Sequence, residues 1–230
     1  MLYSFILPAY NEEKNIKRTI FELSKYLLKH FSRFEIIVVD DGSKDDTFAI
    51  AKKIKFPNLH ILHLQNNHGK GFALKFGFKK SHGNIIVFMD AGGDFQPAQL
   101  VRFTNPLKNN SADIVIGNKW DKRSNIKYPI KRIIFSKIYH GLVELLFRLK
   151  IRDTQVGLKA FRREVLENII PKIKSNGYIF DLELLILAKK NNFKIIENSV
   201  ILNFTHSGGN IKITSIVKMF VDTVKLKFQR

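Results

Sequence analysis

Three short apolar runs in the N-terminal half each stop on polar and acidic residues. Phe5-Ile6-Leu7-Pro8 runs into Asn11-Glu12-Glu13, Ile36-Ile37-Val38-Val39 into Asp40-Asp41-Gly42-Ser43, and Ile85-Ile86-Val87-Phe88-Met89 into Asp90-Ala91-Gly92-Gly93-Asp94. Short β-branched runs separated by helical patterns predict buried parallel strands. Parallel strands end on one edge of their sheet, and ligands bind at that edge. The three acidic tags are therefore expected to meet in one crevice. Clustered carboxylates repel one another and serve stability poorly. Their convergence points to a cation, or to a hydroxyl-rich and metal-bound ligand, among them.

The rest of the first half keeps the same rhythm. Strands are expected at 3–8, 35–40, 60–64, 84–89 and 113–117. Asn11 reads as an N-cap with Glu12 and Glu13 in the first turn, where carboxylates suit the helix dipole. Ile16, Ile20, Leu23, Leu27 and Phe31 follow as a helical stripe. Ser43 with Asp46 resembles a capping box for a helix through about 54. Pro97 suits the first turn of another helix. Alternation of this kind predicts an α/β fold, a doubly wound sheet with right-handed crossovers.

After about residue 120 the pattern changes. Residues 133–149 form an apolar helix on which Lys137, His140, Glu144 and Arg148 make one narrow polar stripe. A strand is expected around 156–161, helices at about 162–170 and 180–190, and a strand near 194–200. A last helix runs over 213–228, with Ile213, Ile216, Val217, Phe220 and Val224 on one face. At 230 residues, without repeat or clear linker, the chain reads as one domain. Within it the pattern divides into 1–120, 121–210 and a last amphipathic helix over 211–230.

Charge narrows the partners. The net charge is +19, and between Lys119 and Arg152 ten basic residues face only Asp121 and Glu144. Such an excess calls for an anionic partner or surface. No groove-reading module or aromatic stacking platform accompanies it, so nucleic acid is not expected. With no cysteine, thiolate metal sites are excluded. No apolar stretch reaches the roughly 18 residues of a membrane span. No secretory signal is read at the N-terminus, so a cytoplasmic protein is expected, peripheral on the inner membrane face.

The acidic loops carry the chemistry. Asp40 and Asp41, on a strand end ahead of any cap, suit hydrogen bonds from a base or ribose. His68-Gly69-Lys70-Gly71 would let backbone amides and one ammonium approach phosphates, or is a plain turn. Asp90 and Asp94, on one loop, suit an oxygen-ligated Mg²⁺ or Mn²⁺ shared with substrate phosphates.

In order and spacing, Pro8–Glu12, Val39–Thr47, Asn67–Gly71, Asp90–Gln96 and Gly117–Lys119 resemble family 2 glycosyltransferases of the GT-A fold. Asp153-Thr154-Gln155-Val156-Gly157-Leu158-Lys159 and Phe180–Leu185 look most like the dolichyl- and polyprenyl-phosphate sugar synthases within it. The resemblance implies that Pro8, Tyr10, Glu12, Asp41, Asp90 and Ala91 hold a nucleotide-sugar donor, with Lys70 near its phosphates. It implies that Lys119, Arg132 and Ser136 contact the acceptor phosphate, and that Asp90, Asp153, Gln155, Asp181 and Glu183 lie near the reacting sugar. GDP-mannose and UDP-glucose are the expected donors, a polyprenyl or dolichyl phosphate the acceptor. A single inverting displacement on an anionic membrane surface is the expected reaction. The family's metal motif is Asp-x-Asp, often with a third polar ligand two positions later. Here the frame reads Asp90, Gly92, Asp94, so the second carboxylate is missing and weak metal affinity is expected. His206-Ser207-Gly208-Gly209-Asn210 resembles a lid loop. The resemblance makes 1–120 the nucleotide-sugar-binding half and 121–210 the acceptor half. Three readings compete with this one: a soluble family 2 transferase acting on a glycan or protein, a donor-binding form impaired by Gly92, and a nucleic-acid binder motivated by charge alone. A separate membrane-anchoring subunit is compatible with the leading reading.

Overall fold

The computed structural model describes residues 1–126, 130–202 and 213–228, with side chains over 1–124, 135–202 and 217–228. The expected lid residues 206–210 and the side chain of Arg132 lie outside these. The first half alternates as its sequence pattern requires: β1 (Tyr3–Ala9), α1 (Ile16–His30), β2 (Phe34–Asp40), α2 (Thr47–Lys52), β3 (Leu59–His63), α3 (Lys70–Lys79) and β4 (Ile85–Phe88). A 3₁₀ turn over Pro97–Gln99 leads into α4 (Leu100–Lys108), and β5 (Ile114–Asn118) follows. The second half contributes β6 (Asn125–Ile126), α5 (Ile130–Phe147), β7 (Lys159–Arg162), α6 (Arg163–Ile169), α7 (Phe180–Lys190), β8 (Ile195–Ser199), β9 (Ile201–Leu202) and α8 (Ile213–Phe228).

Seven strands form one sheet in the order β3-β2-β1-β4-β7-β5-β8. All neighbours are parallel except β7, which runs antiparallel to both β4 and β5. Both faces of the sheet are buried, which explains why its strands read as continuous apolar runs. Phe5 and Leu7 face one layer with Ile16, Ile20, Leu23 and Leu27 of α1. Ile6, Ile37, Val39 and Phe88 face the other, with Leu74, Phe161 and Phe180. Register places Ala9 opposite Asp40 and Ile6 opposite Phe88. The carboxyl ends of β2, β1 and β4 therefore share one edge.

Two expected caps resolve differently. Asn11 is not an N-cap: its φ is +56°, and α1 starts five residues later, after Asn15. Its side chain instead accepts a bond from the Lys44 amide, while its own amide donates to Ser43 Oγ. Ser43 is thereby taken from the capping box. Asp45 replaces it, accepting from the Thr47 amide at 3.0 Å. Glu13 joins the same clasp through the Asp45 carboxylate. These acids tie the β1–α1 loop to the β2–α2 loop. Against a desolvation that would raise it, the bonds from Thr47 and Glu13 hold Asp45 below the usual carboxylate range.

Candidate active site at the sheet edge

Asp41 follows β2 and is buried. Its Oδ1 accepts from the His68 amide at 2.9 Å and its Oδ2 from the Gly69 amide at 2.8 Å. Beyond Lys70, the amides of Gly71 and Phe72 both donate to Asn176 O. Gly69 sits at φ +97°, where a Cβ would lie 2.6 Å from that carbonyl. The glycines of this loop thus serve its seat against residues 176–180. Four of the loop's amides, those of His68, Gly69, Gly71 and Phe72, are thus bonded within the protein. The ammonium of Lys70, the first residue of α3, is what the loop presents.

That ammonium joins two of the expected residues. Lys70 Nζ lies 2.6 Å from Asp90 Oδ1 and 4.0 Å from Asp181 Oδ2. Burial favours the neutral amine, but Asp90 and Asp181 outweigh it and raise Lys70 above the ordinary lysine value. Asp41 and Asp90 are therefore linked through one loop, on one rim. Asp90 is backed by Gly157, where a Cβ would fall 1.8 Å from Asp90 Oδ2. A carboxylate can occupy that place only because residue 157 has no side chain.

Behind Asp181 stands a residue the sequence reading left without a role. Lys159, at the start of β7, is fully buried. Its Nζ donates to Asp181 Oδ1 at 2.7 Å and to Val156 O at 2.5 Å. Burial lowers its pKa, opposed by the Asp181 charge. Lys159, Asp181, Lys70 and Asp90 form a row of alternating charge. Within Leu158-Lys159-Ala160-Phe161, a lysine inside an otherwise apolar strand was the available signal. Glu183, one turn along α7, instead accepts from the Lys174 and Ser175 amides and the Ser175 hydroxyl, fastening the chain ahead of its own helix.

A second group lies where β5 ends. Lys119 Nζ is 3.4 Å from Asp153 Oδ2, and the Lys119 amide reaches the same oxygen at 3.3 Å. Asp153 Oδ1 accepts from the Gln155 amide at 3.2 Å. Gln155 Nε2 contacts the Tyr139 hydroxyl of α5 at 3.4 Å, which meets Thr223 Oγ1 of α8 at 3.0 Å. Burial pushes Tyr139 up to about 12. Ser136 lies one turn before Tyr139 on α5 and is half-buried.

On the donor side, Pro8 is partly exposed near the end of β1, and Tyr10 is exposed just beyond it. Ala91 is buried, and its carbonyl accepts from Thr19 Oγ1 at 2.9 Å. Glu12 is raised above the usual carboxylate range chiefly by burial, with Asp94, Asp90 and Asp45 adding repulsion and Asn15 opposing. A Cβ on Gly92 would stand 3.4 Å from Glu12 Oε1. Glu12 thus borders the room that a second motif carboxylate would enter. Hard oxygens from Asp90 and Asp94 suit Mg²⁺ or Mn²⁺. Among the described residues, no three His, Cys, Asp or Glu side chains are grouped so as to hold a metal ion. The set fits a divalent cation whose remaining ligands come from a bound donor.

Outside the site, α5 and α8 leave apolar side chains uncovered. Phe135, Ile138 and Leu145 on α5, and Val217, Val221, Val224 and Phe228 on α8, are exposed. Phe220, from the same expected stripe, packs inward with Met219 and Leu226. Among the described residues, no helix is long and apolar enough to cross a membrane.

Comparison with known proteins agrees with this architecture. Residues 4–170 match Glycosyl transferase family 2. The chain is 30% identical over 236 residues to dolichyl-phosphate beta-glucosyltransferase ALG5D of Trichomonas vaginalis, covering 97% of this chain and 72% of that one. It is 32% identical over 243 residues to the dolichyl-phosphate beta-glucosyltransferase of Dictyostelium discoideum, covering 98% and 74%. Glycosyltransferase AglD of Haloferax volcanii is 31% identical over 199 residues, 84% of this chain but 32% of that one. Among solved structures, glucosyl-3-phosphoglycerate synthase from Mycobacterium tuberculosis, in complex with Mn²⁺, UDP and glucosyl-3-phosphoglycerate, aligns with a TM-score of 0.77 at 22% identity, over 98% of this chain and 79% of that one. A likeness at that identity speaks for the fold. The chain belongs to glycosyl transferase family 2 and is built on the GT-A fold.

Proposed function

We propose that the chain transfers a hexose from a nucleotide sugar to a dolichyl or polyprenyl phosphate at a membrane surface. UDP-glucose is the favoured donor, because relatives matched along nearly the whole chain are named glucosyltransferases. One observation carries the reading. The Lys119–Asp153 pair is joined through Gln155 to Tyr139 of α5 and Thr223 of α8, two helices with uncovered apolar faces, and the Asp181 charge acts on that same Tyr139. A water-soluble acceptor gives no reason for such helices beside the site.

On this reading residues 1–120 hold the donor and 121–210 receive the acceptor. Pro8, Tyr10, Glu12 and Asp41 line the nucleoside end, and Lys70 with Asp90 and Ala91 the diphosphate end. Mg²⁺ or Mn²⁺, held by Asp90 and Asp94 with donor oxygens, would supply charge neutralisation at the leaving diphosphate. Lys70 adds a positive charge there. Lys119, oriented by Asp153, receives the acceptor phosphate with Arg132 and Ser136. The attacking phosphate oxygen is already ionised, so no strong base is required, and positioning dominates. Asp181, held by Lys159, acts by orientation. The displacement inverts the anomeric centre.

Exposed Val217, Val221, Val224 and Phe228, with Lys218, Lys225 and Lys227 beside them, give α8 the make-up of a helix lying in an anionic membrane interface. Its neighbour α5 adds Phe135, Ile138 and Leu145. The cytoplasmic face is the expected side, with or without a separate anchoring subunit.

The test is a donor screen with radiolabelled UDP-glucose and GDP-mannose, a short polyprenyl phosphate, and Mn²⁺ present or chelated. Glucose label in the organic phase is expected. Label only in water-soluble product would remove the lipid acceptor, and mannose label alone would correct the donor.

A further inference from the structure

We propose that Lys70 is a resident cation that keeps Asp90 closed to a metal ion until a donor diphosphate draws the ammonium away, so that nucleotide binds before metal. The inference deepens the proposed donor site and rests on it.

The geometry sets up a competition. Lys70 Nζ is already within direct ion-pair distance of Asp90 Oδ1, at 2.6 Å. Asp90 is the leading acid of the loop that would meet a divalent cation, and an ammonium and a metal ion repel each other across one carboxylate. Normally the second acid of such a loop gives the metal an independent hold. Gly92 removes it, and no described carboxylate cluster replaces it. Free metal must therefore displace Lys70 with few protein ligands to help. A bound diphosphate changes both sides of the balance. It offers oxygens to the metal and a stronger anionic partner to Lys70.

Lys70 also has somewhere to go. Its Nζ is 4.0 Å from Asp181 Oδ2, while the other Asp181 oxygen is fixed by Lys159. The backbone beneath it is held, with the Gly69 amide on Asp41 and the Gly71 amide on Asn176 O. Only the side chain need swing. In the free protein the row Lys159, Asp181, Lys70, Asp90 sums to zero charge. An added dication alone breaks that balance, whereas a dication arriving with a diphosphate nearly preserves it.

A neighbouring opposite charge changes the proton affinity of a carboxylate by roughly one to three powers of ten. Metal affinity at Asp90 should respond on a similar scale. The experiment measures Mn²⁺ binding to the whole chain by the loss of the free-ion electron paramagnetic resonance signal, with and without saturating UDP. Wild type is expected to bind Mn²⁺ at least about tenfold more tightly with UDP than without, and linkage requires Mn²⁺ to tighten UDP by the same factor. Lys70→Met is expected to bind Mn²⁺ alone about tenfold more tightly than wild type. Lys70→Arg, which keeps the charge, should stay as weak as wild type. Thermal melts establish that each variant is folded. Lys70→Met binding Mn²⁺ no more tightly than wild type overturns the proposal. So does Lys70→Arg gaining as much as Lys70→Met. Failure of the donor reading looks different: neither UDP nor GDP binds wild type at any Mn²⁺ concentration, while the nucleotide-free comparison of the three proteins still decides the role of Lys70.

Discussion

Gly157→Ala isolates what the placement of Asp90 is worth. The added methyl would fall 1.8 Å from Asp90 Oδ2 and 2.3 Å from its Cγ, about 1.6 Å inside the 3.4 Å at which ordinary contact begins. The Asp90 side chain is the yielding partner, because it is flexible and partly exposed. Its retreat breaks the pair with Lys70. That pair is partly exposed, so its loss costs about 0–1 kcal/mol, a drop of at most about 4 °C in Tm for a chain of this size. Function should suffer far more. A misplacement of about 1 Å at a reacting centre costs about 10²-fold. The expected result is a folded protein, within about 4 °C of wild type, whose kcat/KM for hexose transfer falls by about 10² or more. Gly141→Ala is the control, since a Cβ there meets nothing within 4 Å. It lies inside α5 and should stabilise the protein by about 1 kcal/mol with unchanged transfer. Gly157→Ala with kcat/KM within about threefold of wild type would refute the claim that residue 157 sets Asp90 in place.

Removing Asp181 leaves Lys159 buried without its carboxylate partner, holding only Val156 O. Asp181→Ala should destabilise by about 3–5 kcal/mol in urea unfolding, and Lys159→Met on that background should recover most of it; no recovery would mean the loss lies elsewhere. Tyr139→Phe leaves Thr223 its bond to Met219 O, and Thr223→Val leaves Tyr139 its contact with Gln155, so each should cost only the lost bond, about 0.5–1.5 kcal/mol. Their double mutant should cost less than the sum, and strict additivity would show that the two hydroxyls do not interact. Glu35, bonded by Ser4 and His82, is held below its ordinary pKa despite desolvation. Its folded value is depressed, so its contribution is present above the unfolded pKa of about 4.3 and disappears as pH falls through the folded one. Glu35→Gln should therefore lower Tm at pH 6 and flatten the acid limb of Tm against pH; an unchanged acid limb would refute the assignment.

The strands, most helices and the shared rim were legible because burial on both sheet faces writes itself as β-branched runs. The division of labour among the acids was not. Asp45 and Glu13 look like Asp41 and Glu12 in the sequence, yet they clasp two loops together. Which acid finds an amide depends on loop contacts across more than thirty residues. Lys159 was hidden because a lysine ordinarily marks solvent, and only the fold brings Asp181 to it. Gly69 read as a turn residue and Gly157 as part of a strand, whereas the structure uses both for close approach. The antiparallel course of β7 was equally out of reach, since strand order is set by packing between distant segments.

That reversed strand has a consequence for how such an enzyme can diversify. Because β7 runs against β5, with Lys159 beside Ile116, the long excursion from Asn118 to Lys159 leaves and re-enters the sheet at neighbouring points. It behaves as a cassette clipped into a fixed frame. Its helix can be lengthened, re-lettered or exchanged while the strands on either side keep their register.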